Sequence, residues 1–217
     1  MSTGAAGSNP DWKDGFLFVG NQLALDFLNT CPVQSGEALE LLPDFQALLR
    51  WFRAAELLSA RQAASLRERW EESDRARRTL DAARELRETL RKDILAWERG
   101  VAIRPSTVEE LNRLLTDHPM ITRLKAARNA FSKQLWFDPQ QPEDLFAPLA
   151  YSAATLFAEA DRDRVRKCGQ CVLHFYDTSK KGTRRWCSMR LCGNRLKVAN
   201  YAARRRIPDG GRKRNHS

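Results

Sequence analysis

Apolar residues recur at helix-like spacing through most of the first 160 positions and gather into short strand-like runs after that. The segment FLFVGNQLALDFLNT opens with a brief apolar run and continues with Leu23, Leu25, Phe27 and Leu28 around Asp26 and Asn29. This predicts a short strand or turn leading into a helix. Cys31–Pro32 and Ser35–Gly36 then interrupt regular structure. Pro43–Asp44 precedes a helical pattern through Leu48, Leu49, Phe52, Ala55, Leu57 and Leu58. From Arg61 to about Gly100 a longer pattern sets Leu66, Trp70, Leu80, Leu86, Leu90, Ile94 and Trp97 among charges, with a break expected between Glu72 and Arg75. Gly100 is the expected stop.

Ser106-x-x-Glu109 has the spacing of a capping box ahead of Leu111, Leu114 and Leu115, and His118–Pro119 closes that short helix. Between Ile121 and Phe137 the alternation is partial, leaving a short hairpin and a helix both open; its apolar residues are expected to be buried. Pro139, Pro142 and Pro148 punctuate the turn into an alanine-rich helix near Leu149 to Asp161. That helix runs into Val165–Arg166–Lys167 with no room for a loose linker. The expected class is α+β: a flexible N-terminus over 1–15, a mainly helical regulatory or ligand-binding domain over 16–160, a small finger over 161–206, and a basic flexible tail over 207–217.

Composition narrows the setting. With 42% hydrophobic residues and six Trp in 217 residues, the chain can bury a sizeable core. Its apolar stretches end well short of the roughly 20 residues a bilayer demands, and the N-terminus lacks a secretory pattern. A cytoplasmic protein with no membrane partner is the expectation. Charge is segregated within the formal net +10: residues 161–217 hold 17 Lys or Arg against four Asp, while residues 1–160 hold 20 against 23 acidic residues. Only the C-terminal part calls for an anionic partner.

Four of the five cysteines fall in that part as C-x2-C-x15-C-x4-C: Cys168, Cys171, Cys187 and Cys192. Two thiolates two residues apart can reach one metal through a tight turn, and four soft ligands favour one structural zinc per chain. Four buried or redox-active thiols, or iron on the same ligands, are the alternatives. Val172, Leu173, Phe175 and Tyr176 fit a strand, Thr178 to Gly182 its turn, and a returning segment ending at Trp186 would carry Cys187 back. Five positions along a regular helix rotate through about 500°, so Cys187 and Cys192 cannot both sit in mid-helix. His174 reads as a surface residue or a neighbour of the centre, Cys31 as a packed thiol, Asp26 as a cap or turn residue, and Trp186 as packed against the metal module.

The strings CGQC, FYDTSKKGTRR and WCSMRLCGNRLK together closely resemble the CGNR zinc-finger family, named for the residues at Cys192 to Arg195. GNQLALDFLNT resembles the N-terminal domain that accompanies this finger in predicted bacterial stress-induced transcription regulators. The resemblance implies zinc on the same four cysteines, a finger of treble-clef-like or ribbon-like form, DNA binding and transcriptional control. Where family members often carry Asn after the basic turn, this chain has Gly182.

Candidate phosphate contacts are Lys180, Lys181, Arg184, Arg185, Arg190, Arg195, Lys197, Arg204, Arg205 and Arg206. DNA is the expected partner, with RNA, a protein partner, a small ligand of the helical domain and a homodimer as further readings. No paired base and nucleophile completes an enzyme mechanism.

Overall fold

The computed structural model describes residues 11–34, 37–127 and 130–194. Regular structure begins within the segment expected to be a flexible lead. Strands β1 (Trp12–Lys13) and β2 (Phe16–Leu17) form a minimal hairpin whose turn holds Asp14 and Gly15 at positive φ. Helix α1 (Leu23–Leu28) follows, and its Ala24, Leu25, Asp26, Phe27 and Leu28 are all buried. A helix apolar at every position but Asp26 belongs inside a core. A second two-residue hairpin, β3 (Val33–Gln34) with β4 (Glu37–Ala38), crosses the surface before the larger helices.

Those helices start where local chemistry allows. Helix α2 (Phe45–Ala54) is capped by Asp44, whose carboxylate accepts the Ala47 N–H at 2.6 Å. Helix α3 (Ala60–Trp70) opens on a complete capping box between Ser59 and Gln62, and α4 (Asp74–Glu98) on the Ser73 hydroxyl. The break between them therefore falls at residues 71–73, near the expected place. Helix α5 (Pro105–Asp117) corrects the expected start. It begins at Pro105, and the Ser106/Glu109 box does not form because Ser106 already lies in the first turn. Proline suits that first position, since its missing N–H would have had no partner there.

Phe27, Trp51 and Phe52 sit at the centre of the helical body, with ring centroids 5.5 Å and 5.1 Å apart along the series. Helix α6 (Phe146–Glu159) packs on α1 and α5 after a short 3-10 turn at Pro142–Leu145. The segment left open between hairpin and helix is an antiparallel ribbon, β5 (Ile121–Ala127) with β6 (Ala130–Trp136). Its apolar residues were expected inside, and they are not: Leu124 and Phe131 are 72% and 73% exposed. Among the described residues no second layer covers the ribbon. Only Phe137 beyond its base joins the core, stacked on Phe52 at 6.0 Å.

The finger also departs from expectation in its pairing. Strand β8 (His174–Tyr176) pairs with β7 (Val165–Lys167), which precedes the first cysteine pair, and not with the segment ending at Trp186. That segment returns as a loop without a strand. The class is α+β, as the sequence predicts, and no described helix is long and apolar enough to cross a membrane.

Buried charge is matched by fixed partners. Asp93, 2% exposed in its side chain, accepts from Arg104 Nε at 2.8 Å and Nη2 at 3.1 Å. Burial pushes its carboxyl up, but the Arg104 bonds outweigh this and hold it below the usual carboxylate range. A depressed pKa contributes stability that is present above the unfolded value, near about 4, and is lost as pH falls through the folded value. The stability gap between wild type and Asp93→Asn, read from urea unfolding, is therefore expected to narrow on acidification below about pH 4. A gap that widens there would contradict the pairing.

Candidate metal centre

Cys168 and Cys171 occupy the connection between β7 and β8, where the Cys168 N–H donates to Leu173 O at 2.8 Å and closes a tight loop. The returning loop reaches this turn through Gly169 N–H, which donates to Arg185 O at 3.1 Å. A Cβ on Gly169 would lie 3.1 Å from the Trp186 ring. Trp186 is thus half-buried against the module, as expected. Cys187 precedes Ser188, whose hydroxyl accepts from the Arg190 and Leu191 N–H groups and caps a one-turn π-helix, Met189–Gly193. Cys192 lies in that turn, so the second pair spans a helix entrance. The Met189 thioether packs over Gly193, 2.6 Å from where a Cβ would stand, so a larger residue here would have to displace that side chain.

The four sulfurs lie within 4.8 Å of one another, and all five cysteines are unpaired by disulfide. Cys171 and Cys192 each stand 3.7 Å from Cys187. The edge of a tetrahedron with zinc–sulfur bonds of about 2.3 Å is about 3.8 Å, so the quartet already has the size of a zinc cage. Its protonation shows why a cation belongs there. Neighbouring S–H groups of Cys171 and Cys187 donate to Cys168 and hold its pKa down, whereas the same sharing pushes Cys171 up to about 12 and Cys187 higher still. Crowded thiols resist carrying several negative charges together; a bound dication removes that penalty.

Around the cage the basic residues divide into two groups. Asp177 is fully buried and accepts from Ser179 N–H at 2.8 Å and Arg184 N–H at 2.7 Å. Burial raises its carboxyl, but these bonds prevail and hold it below the ordinary range. Arg164 donates to Asp177 O and Ser179 O, and Arg166 to Gly182 O. Arg184, a candidate phosphate contact, turns inward: Nε donates to Trp186 O at 2.7 Å, Nη2 donates to Cys187 O, and the guanidinium lies over Phe175. Lys180, Lys181, Arg185 and Arg190 are exposed, with Arg185 stacked over Trp186. Arg195, Lys197, Arg204, Arg205 and Arg206 lie outside the described residues, as does the expected helix after the CGNR string. Gly182 has φ +61, a left-handed conformation that Gly and Asn both tolerate, so the departure from Asn at this place is benign.

The finger is held to the helical body along the outer edge of β8. Asn29 grips His174 on both sides: its Oδ1 accepts the His174 N–H and its Nδ2 donates to His174 O, each at 2.9 Å. Two residues on, Tyr176 N–H donates to Gly20 O at 2.8 Å, and Asn21 Nδ2 donates to Tyr176 O at 2.9 Å. The GNQLALDFLN segment therefore acts as the missing neighbouring strand. Reasoning from sequence missed this role for Gly20, Asn21 and Asn29. The available signal was an asparagine closing a helix that is apolar at every position but Asp26. His174 is buried, not at the surface, and burial together with Arg91 and Lys167 pushes its pKa down to about 4.

Such a fold and site define a zinc-finger protein with a helical partner domain. The chain belongs to the ABATE family, whose model, described as "Putative stress-induced transcription regulator", matches residues 21–160. The model of the CGNR zinc finger matches residues 164–205, which makes one structural zinc per chain the cofactor. No curated protein matches the chain.

Replacing Asn29 with Ala strips partners from two buried backbone groups and is expected to cost about 2–4 kcal/mol, measured by denaturant unfolding of the zinc-loaded protein. Asn29→Asp should be worse, because it sets a carboxylate against the His174 carbonyl. Equal stability of all three proteins would remove Asn29 from the docking role.

Proposed function

We propose that this protein is a zinc-dependent DNA-binding transcription regulator, in which the finger engages DNA and the helical domain takes a signal ligand. Cys168, Cys171, Cys187 and Cys192 are the zinc ligands in this reading. The observation that carries it is the split among the cations. A loop held by Asp177, Arg164, Arg166 and Arg184 presents Lys180, Lys181 and Arg185 outward beside the metal cage, and the Ser188-capped turn that follows presents Arg190. Side chains carried on a braced loop lose little additional freedom when they meet phosphates. Family membership supports regulation as the broader role.

Zinc removal separates the two parts of the molecule. The finger core comprises Leu17, Val19, Leu173 and Phe175 packed with Cys168, Cys187 and Cys192, whereas α1 to α6 share a separate cluster. Chelation, or Cys187→Ser, is expected to abolish amide protection over 168–194 while leaving the α4 core protected in hydrogen exchange. Persistence of finger protection without metal would refute the ligand assignment.

Reversing Lys180, Lys181 and Arg185 to Glu together should weaken binding to duplex DNA and flatten its dependence on salt by about one unit of slope per lost phosphate contact. Arg184→Ala should lower zinc-module stability as well, because its guanidinium braces two carbonyls. Fluorescence titration across a salt series checks the first expectation, and thermal unfolding of the zinc-loaded protein the second. An unchanged slope in the triple variant removes these side chains from the interface, and preferential binding of structured RNA at matched salt would transfer the role to RNA.

A further inference from the structure

A cleft of about 690 Å³ opens between the N-terminal hairpin, α1, the α2–α3 connection, the base of the β5–β6 ribbon and α6. This is within the range of roughly 300–1,000 Å³ typical of small-molecule sites. Its walls include Phe18, Phe137 and Tyr151, and Asp26 of α1 lines it while remaining only 8% exposed. Charge in the cleft is unbalanced in an informative way. Lys13 and Glu56 also line it, but they neutralise each other through a contact of 2.7 Å. That leaves Asp26 as the lining acid that makes no salt bridge among the described residues, although the Lys13 charge still acts on it. An anionic guest would meet this acid and a lysine already engaged. A guest with an ammonium group would find a desolvated acceptor and aromatic faces, the combination that favours organic cations.

We infer that this cleft is a binding site for a small organic amine, whose ammonium group sits on Asp26 and whose apolar body lies against Phe18, Phe137 and Tyr151. The inference rests on the proposed ligand-taking role of the helical domain and assigns that role a site and a chemistry. Burial, opposed by the Gly20 and Val19 N–H groups and by Lys13, pushes Asp26 up to about 7, so an arriving cation restores the counter-charge that burial withholds.

The site is also wired to the finger. Asp26 Oδ1 accepts the Gly20 N–H at 2.7 Å, and the carbonyl of the same Gly20 accepts the Tyr176 N–H of β8 at 2.8 Å. A Cβ on Gly20 would lie 2.8 Å from both the Asp26 N and the Leu25 Cβ, so this residue is wedged against α1. A ligand that draws on the Asp26 carboxylate therefore acts one residue away from the bonds that hold β8.

Calorimetry on the full-length zinc-loaded protein tests the site without nucleic acid. Phenethylamine is the probe, with phenethyl alcohol and hydrocinnamate as neutral and acidic counterparts of the same body. The amine is expected to bind roughly tenfold or more tightly than either counterpart. Asp26→Asn, which retains an oxygen for the Gly20 N–H, should erase that preference while keeping zinc content and melting temperature. Thr155→Trp, which fills the cleft from α6, should abolish binding of all three. Equal affinity for the three probes, an unchanged preference in Asp26→Asn, or no binding of the amine overturns the inference. A protein that binds the amine but no DNA keeps this site and overturns the regulator reading; one that binds DNA but no amine does the reverse.

Discussion

The outer edge of β8 is the point on which the rest of the molecule turns. A two-stranded finger sheet has one free edge on each strand, and unpaired backbone groups there must find water or a partner. Here the His174 and Tyr176 N–H and C=O groups are satisfied by Gly20, Asn21 and Asn29, residues about 150 positions earlier in the chain. Because the docking uses backbone groups on one side and two amide side chains on the other, it fixes register as well as proximity. The finger is consequently an extension of the helical body's own hydrogen bonding. Val165 and Tyr176 reach into the helical core, while Leu17 and Val19 reach into the finger core.

Helix α1 gains an unusual density of duties from this arrangement. Phe27 holds it in the aromatic centre with Trp51, Asp26 faces the cleft, and Asn29 clamps β8. Six residues and the Asn29 cap suffice because the three directions are separated by helical rotation. The ribbon β5–β6 contributes in a different way. Its length is solvent-exposed, yet its base supplies one wall of the cleft. Apolar alternation in a sequence says that two faces differ; whether a neighbouring layer arrives to cover one of them is a property of the whole fold.

Among the finger's cations, chemical type does not decide the role. Arg184 and Arg185 are adjacent and equally basic, yet one turns into the loop to bridge carbonyls and the other stays outside over Trp186. The inward arginines satisfy carbonyls that a loop without strands would otherwise leave open, and Asp177 satisfies the N–H groups. Bracing and display are thus two outcomes of one basic segment. The sorting follows from where each Cα falls around the metal cage.

Local chemistry was legible along the chain. The helix after Pro43–Asp44, the break between α3 and α4, and the gathering of four cysteines all depend on neighbours within a few residues or on the restricted geometry of thiolate ligation. The Ser106/Glu109 box misled because Pro105 offered a competing start two residues ahead of the one that box implies. Only the tertiary structure decided that β8 pairs backward with β7, that Leu124 and Phe131 stay in solvent, that Arg184 is a brace, and that Asn29 reaches His174. Those outcomes depend on groups brought together across the chain, and the energy of a hydrogen bond to a distant backbone group leaves no periodicity in the sequence that makes it.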